Sequence, residues 1–128
     1  MQPPLSYRWL RANRILHLIP WHFIDEEEGR LASERFRVEH PEGWILYTFA
    51  RREDCDDFAG FRVIDGNVTE QVVYFHPSFA KGFNEHIVSN SYPDLWAFFR
   101  EVVIPDSATW YTDFDVQDLE QKNTQSSD

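Results

Sequence analysis

The chain has 128 residues, of which 42% are hydrophobic and 16% are aromatic. This is enough apolar material for one core, so a chain disordered throughout is excluded, and the length leaves no room for two domains. The formal net charge of −10 disfavours direct binding to nucleic acid, because an acidic surface repels phosphates, and it favours a basic protein as partner.

The charge is unevenly distributed along the chain. Residues 1–20 contain three arginines and no acid, so they carry +3 and the rest of the chain carries −13. Cys55 is the only cysteine, so no intrachain disulfide can form, which fits a reducing compartment. The sequence shows no apolar leader, no run of membrane-spanning length and no cofactor motif. We therefore expect a cytoplasmic protein without a membrane segment or cofactor.

The first predicted helix spans about residues 5–18 and ends before Pro20. Apolar residues at i, i+4, i+7, i+11 and i+14 form one helical stripe: Leu5, Trp9, Ala12, Leu16 and Ile19. We interpret the stripe as the face that packs on the domain. A basic helix lying on a membrane surface is the alternative, which we disfavour because few Lys or Arg flank the stripe.

Asp25 is the predicted N-cap of a second helix, which reaches Arg35 or beyond and stops before the turn at residues 41–43. Glu26, Glu27 and Glu28 fall in its first turn, where negative charge complements the helix dipole. The same three acids are our candidate contacts for steering a basic partner.

Three strands are predicted next, at residues 44–50, 59–64 and 71–76, and we expect them in one antiparallel sheet. The sequence Asp65-Gly66-Asn67 is typical of a hairpin turn between the second and the third. Residues 77–90 are predicted to be a loop.

The last predicted helix spans residues 91–104, with Ser91 as its cap, Asp94 in the capping-box position and Pro105 after its end. Trp96 lies off the apolar face of this helix, so it is our candidate for an exposed aromatic anchor. Residues 113–128 are acidic and polar, which predicts a frayed, flexible tail after a single domain at residues 1–112.

The most polar cluster, at residues 51–57, has the sequence RREDCDD. Its acids are potential Mg²⁺ or Ca²⁺ ligands, but the alternating ligands, Gly and distal Glu of a calcium loop are missing. We favour a turn held by ion pairs and predict no metal site. Cys55 lies between Asp54 and Asp56, which disfavours a thiolate nucleophile. No catalytic motif is present, so an enzyme is the least favoured class.

Three segments in order, TFARREDCDDFAGFRVIDG, VVYFHPSFAKGF and SYPDLWAFFREVV, resemble the SUKH superfamily, the group named for the yeast cell-wall-assembly regulator and its bacterial relatives. The resemblance covers about residues 44–104, and the segment LIPWHFIDEE extends a weaker resemblance towards residue 9. The positions that match are Phe49, Ala50, Arg51, Arg52, Asp54, Asp56, Asp57, His76, Phe79, Ala80, Gly82 and Trp96. Pro77 and Cys55 depart from the residues usual in bacterial members.

The resemblance implies a compact α+β domain with a central antiparallel or mixed sheet and flanking helices. It also implies a function, since many bacterial members look like immunity proteins that bind and neutralise a cognate toxin, often a nuclease. An intracellular regulator or adaptor of the same fold, with no toxin partner, is the alternative. The oligomeric state and the partner stay open at this point.

Overall fold

A computed structural model describes residues 1–126, so Ser127 and Asp128 of the predicted tail lie outside it. Its strands form one antiparallel sheet in chain order: β1 (His17–Leu18), β2 (Trp21–Phe23), β3 (Ile45–Arg52), β4 (Phe58–Ile64), β5 (Asn67–Phe75) and β6 (Val88–Tyr92). Its helical segments are α1 (Leu5–Ala12), α2 (Glu26–Glu39), α3 (Leu95–Phe98), a π-helical turn (Phe99–Val103), α4 (Ile104–Trp110) and α5 (Asp113–Ser126). The predicted α+β class, with a central antiparallel sheet and flanking helices, is confirmed.

Helices pack on both faces of the sheet. Side chains alternate along a strand, so β3 and β5 each contribute to two apolar clusters. On one face, α2 covers a cluster made by Ala32, Phe36, Leu46, Phe58, Val73, Phe75 and Ile87. On the other face, α1 and α3 cover a larger cluster that includes Tyr7, Leu10, Phe49, Phe61, Val72, Leu95 and Phe98. The two clusters place α2 and α3 on opposite sides of the sheet.

Helix α1 is shorter than predicted and buries a different face. It ends at Ala12, and residues 17–18 form β1 instead of more helix. Leu5 and Trp9, on the predicted packing stripe, are 68% and 61% exposed, so that prediction is wrong. The face that packs consists of Ser6, Tyr7 and Leu10. The sheet selects this face because an aromatic cluster receives the Tyr7 ring, whose centre lies 5.4 Å from that of Phe49.

The second helix and the hairpin are confirmed. Oδ1 of Asp25 accepts a hydrogen bond of 2.8 Å from the Glu28 N–H, and α2 runs to Glu39. Asp65 and Gly66 have φ values of 51° and 79°, which are the left-handed values of a tight hairpin turn between β4 and β5. The three predicted strands are present as β3, β4 and β5.

The region after β5 differs from the prediction. Residues 88–92 form edge strand β6, where we predicted a loop and a helix start. The helix cap is Asp94, whose Oδ1 accepts from the Ala97 N–H at 2.8 Å, and Ser91 is still in the strand. Pro105 does not end the helical segment, because it lies in the first turn of α4, two residues after the π-helical turn ends at Val103, where a missing backbone donor is tolerated.

Residues 113–126 form helix α5, where we predicted a frayed tail. A reciprocal cap explains its start: Oγ1 of Thr112 accepts from the Asp115 N–H, and Oδ2 of Asp115 accepts from the Thr112 N–H. Nearly all of its residues up to 124 are exposed. Helix α5 therefore adds to neither core cluster.

Candidate functional site

The turn between β3 and β4, residues 53–57, is called the acidic turn below. Nε of Arg52 lies 2.8 Å from Oδ1 of Asp54. The Arg51 guanidinium lies 3.5 Å from Asp56 and 3.9 Å from Glu28 at the start of α2. These pairs are what the sequence-based interpretation of an ion-paired turn predicts.

Asp57 is the least exposed acid of this turn, with an 18% exposed side chain. The Tyr74 hydroxyl donates to its Oδ2 at 2.5 Å, and Nδ1 of His76 donates to its Oδ1 at 2.7 Å. Burial, reinforced by the Asp57 carboxylate, raises the pKa of Tyr74, so the phenol stays protonated and remains a donor. Asp57 thus links the acidic turn to the end of β5.

An aspartate that orients a histidine is also a common part of acid–base sites. Burial raises the pKa of Cys55 to about 11, and the carboxylates of Asp57 and Asp54 act in the same direction, so the nearby thiol is protonated at neutral pH. A groove of about 970 Å³ opens between α1 and α2, and Asp57 and His76 do not line it. Neither a thiolate nor this groove therefore supplies the pair with a reaction site.

The loop between β5 and β6 is held by one buried carboxylate. Glu39, the last residue of α2, is 0% exposed, and its carboxylate accepts hydrogen bonds from the Ser78 N–H and hydroxyl, both at 2.8 Å, and from the Phe79 N–H at 3.1 Å. Arg35 pairs with it at 2.5 Å. Burial alone would raise the pKa of Glu39, but the hydrogen bonds from Ser78, Arg35 and Phe79 outweigh it and lower the pKa to about 2.

This loop, residues 77–87, is called the aromatic loop below. It presents Phe79 and Phe83, which are 59% and 73% exposed. Phe79 has a φ of 60°, and its ring centre lies 5.5 Å from the Arg35 guanidinium, which also donates to the Ala80 carbonyl at 2.6 Å. Gly82 has a φ of 90°, a conformation that favours glycine. The backbone that carries the two rings is therefore held in place around Phe79.

The acidic turn and the aromatic loop are contiguous. His76 binds Asp57 of the turn, and Ser78, two residues further along the chain, binds Glu39 under the loop. We call the combined area the turn–loop surface. It joins the four acids of the turn to a loop that exposes two aromatic rings, a combination that suits a protein partner better than a small molecule.

The predicted site residues divide between several places. Phe49 is 1% exposed and belongs to the core. Of the other motif positions, Asp54, Asp56, Asp57, Phe79, Ala80 and Gly82 lie on the turn–loop surface. Arg51 and Arg52 lie next to it at the end of β3, and His76 joins its two parts. Ala50 is 2% exposed and belongs to the core. The predicted partner contacts are not brought together, because Glu26, Glu27 and Glu28 begin α2 whereas Trp96 lies on α3, across the sheet. Trp96 is 46% exposed, and Glu27 is paired with Arg30 at 2.7 Å.

Sequence reasoning missed Glu39 and Phe83. Nothing in the neighbouring sequence marks Glu39 as buried, because its hydrogen-bonding partners Ser78 and Phe79 lie about forty positions away. A signal for Phe83 does exist. Two phenylalanines in a short loop with Lys81 and Gly82 are more apolar than a loop requires.

Within residues 1–126, no three His, Cys, Asp or Glu side chains converge as a metal site would require. No helix in the same part of the chain has the length and apolar character needed to cross a bilayer. No family model, curated protein or solved structure matches the chain, so membership of the SUKH superfamily stays a prediction from the motifs.

Proposed function

We propose that this chain is a protein-binding domain of the immunity type, which binds and neutralises a basic toxin through the turn–loop surface. A nuclease is the expected class of toxin. The observation that carries the proposal is that Phe79 and Phe83 are exposed on a loop that His76 joins to the acidic turn.

The aromatic loop has the properties of a binding anchor. Large aromatic side chains contribute most when they are desolvated at the centre of an interface. Association costs less when the anchoring segment is already ordered, and Glu39 and Arg35 hold the backbone around Phe79 before any partner arrives. The loop can therefore supply contact area at a small entropic cost.

The charge of the turn and of the whole chain supports a basic partner. Residues 51–57 contain four acids and two arginines, a net charge of −2, and the net charge of the whole chain is −10. Nucleases present basic surfaces to their substrates, so an acidic inhibitor meets them with complementary charge. We expect added salt to slow association much more than it speeds dissociation, because exposed charges are screened within about 8 Å at physiological ionic strength.

The test begins with a toxin encoded beside this chain. Cells that express this toxin are made to co-express either the wild-type chain or a loop variant with Phe79→Ser and Phe83→Ser. A matched control with Ile64→Ser and Ile104→Ser changes two apolar residues that are 44% and 53% exposed elsewhere. We expect the wild type and the control to protect and to bind the purified toxin, and the loop variant to do neither.

Kinetics separate the two parts of the surface. Phe79→Ser should mainly raise the dissociation rate, whereas Asp54→Lys with Asp56→Lys should mainly lower the association rate. The partner contacts predicted from the sequence are tested in the same way. Charge reversal of Glu26, Glu27 and Glu28 tests steering through the association rate, and Trp96→Ala tests anchoring through the dissociation rate. An acidic partner, or full protection by the loop variant, would contradict the proposal.

A further inference from the structure

The first eighteen residues expose an unusual amount of apolar surface. The exposed side chains are Met1, Leu5, Trp9, Ile15, Leu16 and Leu18, at 73%, 68%, 61%, 41%, 46% and 40%. Arg8, Arg11 and Arg14 lie among them, and no acid occurs in this segment. We call residues 1–18 the basic end. A concentration of apolar residues of this kind marks a contact surface more often than free surface.

Helix α1 carries two apolar faces. Tyr7 and Leu10 point into the core, while Leu5 and Trp9 lie on the opposite side of the helix and face solvent. The inner face accounts for the attachment of α1 to the sheet. The outer face contributes nothing to the fold of a single copy, so it is available to a partner that is apolar and acidic.

The other end of the chain has this complementary character. Tyr111, Phe114, Val116 and Leu119 are 68%, 78%, 41% and 37% exposed. Helix α5 carries Asp113, Asp115, Asp118 and Glu120 over the same stretch, and Lys122 is its only cation. We call residues 111–122 the acidic end. Val116 and Leu119 are three residues apart, so they share one face of the helix.

We propose that this protein forms a two-fold homodimer in which the acidic end of each copy covers the basic end of the other. The charges of the two ends are opposite, and both present unpartnered apolar side chains. Within one copy the ends do not cover each other, because Trp9 and Phe114 are largely exposed. A two-fold arrangement uses the contact twice, so two small helical contacts add to one larger interface.

A second copy fits the basic end better than a lipid surface does. The remainder of the chain carries −13, which opposes approach to anionic lipids. The same charge attracts the basic end of another copy. The proposed dimer leaves the turn–loop surface for a different partner, so it is independent of the proposed function.

Charge reversal on the full-length chain tests the dimer. Variant one carries Arg8→Glu and Arg11→Glu, and variant two carries Asp118→Lys and Glu120→Lys. Controls with the same change in net charge are Lys81→Glu with Arg100→Glu and Glu70→Lys with Glu101→Lys, at exposed positions elsewhere. Sedimentation equilibrium gives the dimer dissociation constant of each protein, and circular dichroism gives its folded fraction.

We expect the wild type to dimerise and each reversal to raise the dissociation constant at least about tenfold, because like charges then face each other. Mixing the two variants should restore dimers, since both contacts of the mixed pair are again attractive. The controls should dimerise like the wild type. The proposal is overturned if the wild type is monomeric, if mixing restores nothing, or if a monomer binds vesicles of anionic lipid through Trp9.

Discussion

The aromatic loop and the acidic turn lie at the same end of the sheet, but they are held in different ways. The loop follows β5 and depends on Glu39, which is 0% exposed and accepts several hydrogen bonds. The turn follows β3 and depends on ion pairs whose acids, Asp54 and Asp56, are 38% and 52% exposed. Both regions contain Arg–carboxylate contacts of similar appearance.

The comparison teaches that burial decides what such a contact contributes. An exposed pair exchanges hydration for a weak, screened attraction, and its median contribution is close to zero. A buried carboxylate leaves several donors without partners when it is removed, so its loss is costly even where the intact pair adds little net stability. The side chain of Asp57 is partly buried, so its contribution to stability should lie between that of the exposed pairs and that of Glu39.

Removal of Glu39 should have the largest effect. Glu39→Ala leaves Arg35 and the N–H groups of Ser78 and Phe79 without their acceptor, so the free energy of unfolding should fall by about 3–5 kcal/mol. Urea denaturation measures this loss of unfolding free energy. The matched control is Glu34→Ala, which removes an exposed partner of Arg37 and should cost far less, because solvent screens an exposed pair. Equal costs for the two variants would refute the distinction.

Acid should weaken the loop through the same residue. The pKa of Glu39 is about 2 in the folded chain against an ordinary value of 4.5, so its contribution is fully present above pH 4.5 and is lost as pH falls towards 2. The shift corresponds to about 3 kcal/mol. The difference in unfolding free energy between wild type and Glu39→Gln should shrink over that pH range. A difference independent of pH would show that folding does not lower the pKa of Glu39.

Asp57 should have an intermediate effect. Asp57→Ala leaves the Tyr74 hydroxyl and Nδ1 of His76 without an acceptor, and the free energy of unfolding should fall by about 1–3 kcal/mol. Tyr74→Phe removes the hydroxyl that donates to Asp57. A double-mutant cycle with both changes should therefore show a coupling of at least about 0.5 kcal/mol. Additive effects would mean that the hydrogen bond contributes nothing of its own.

The exposed pairs should have the smallest effect. Asp54→Ala and Asp56→Ala should each change the free energy of unfolding by less than about 1 kcal/mol, and added salt should reduce even that. Thermal unfolding at low and high ionic strength measures both. A loss as large as that of Asp57→Ala would mean that the whole turn acts as one structural unit.

Features decided by near neighbours in the chain were predictable from the sequence. Asp25 caps α2 through an N–H three residues away, and Asp65-Gly66 forms the hairpin turn because these residues tolerate left-handed backbone. The charge and motif of residues 51–57 predicted an ion-paired turn. The motif also directed attention to Phe79 and Gly82, although it did not show how the loop is held.

The tertiary structure alone decided between alternatives that the local sequence leaves equivalent. Helix α1 has two apolar faces, and periodicity alone does not tell which one packs; the ring cluster around Phe49 selects Tyr7 and leaves Trp9 in solvent. Glu39 looks like any surface glutamate at a helix end until β5 and the loop bring Ser78 to it. Burial depends on residues distant in sequence, whereas caps and turns depend on residues a few bonds away.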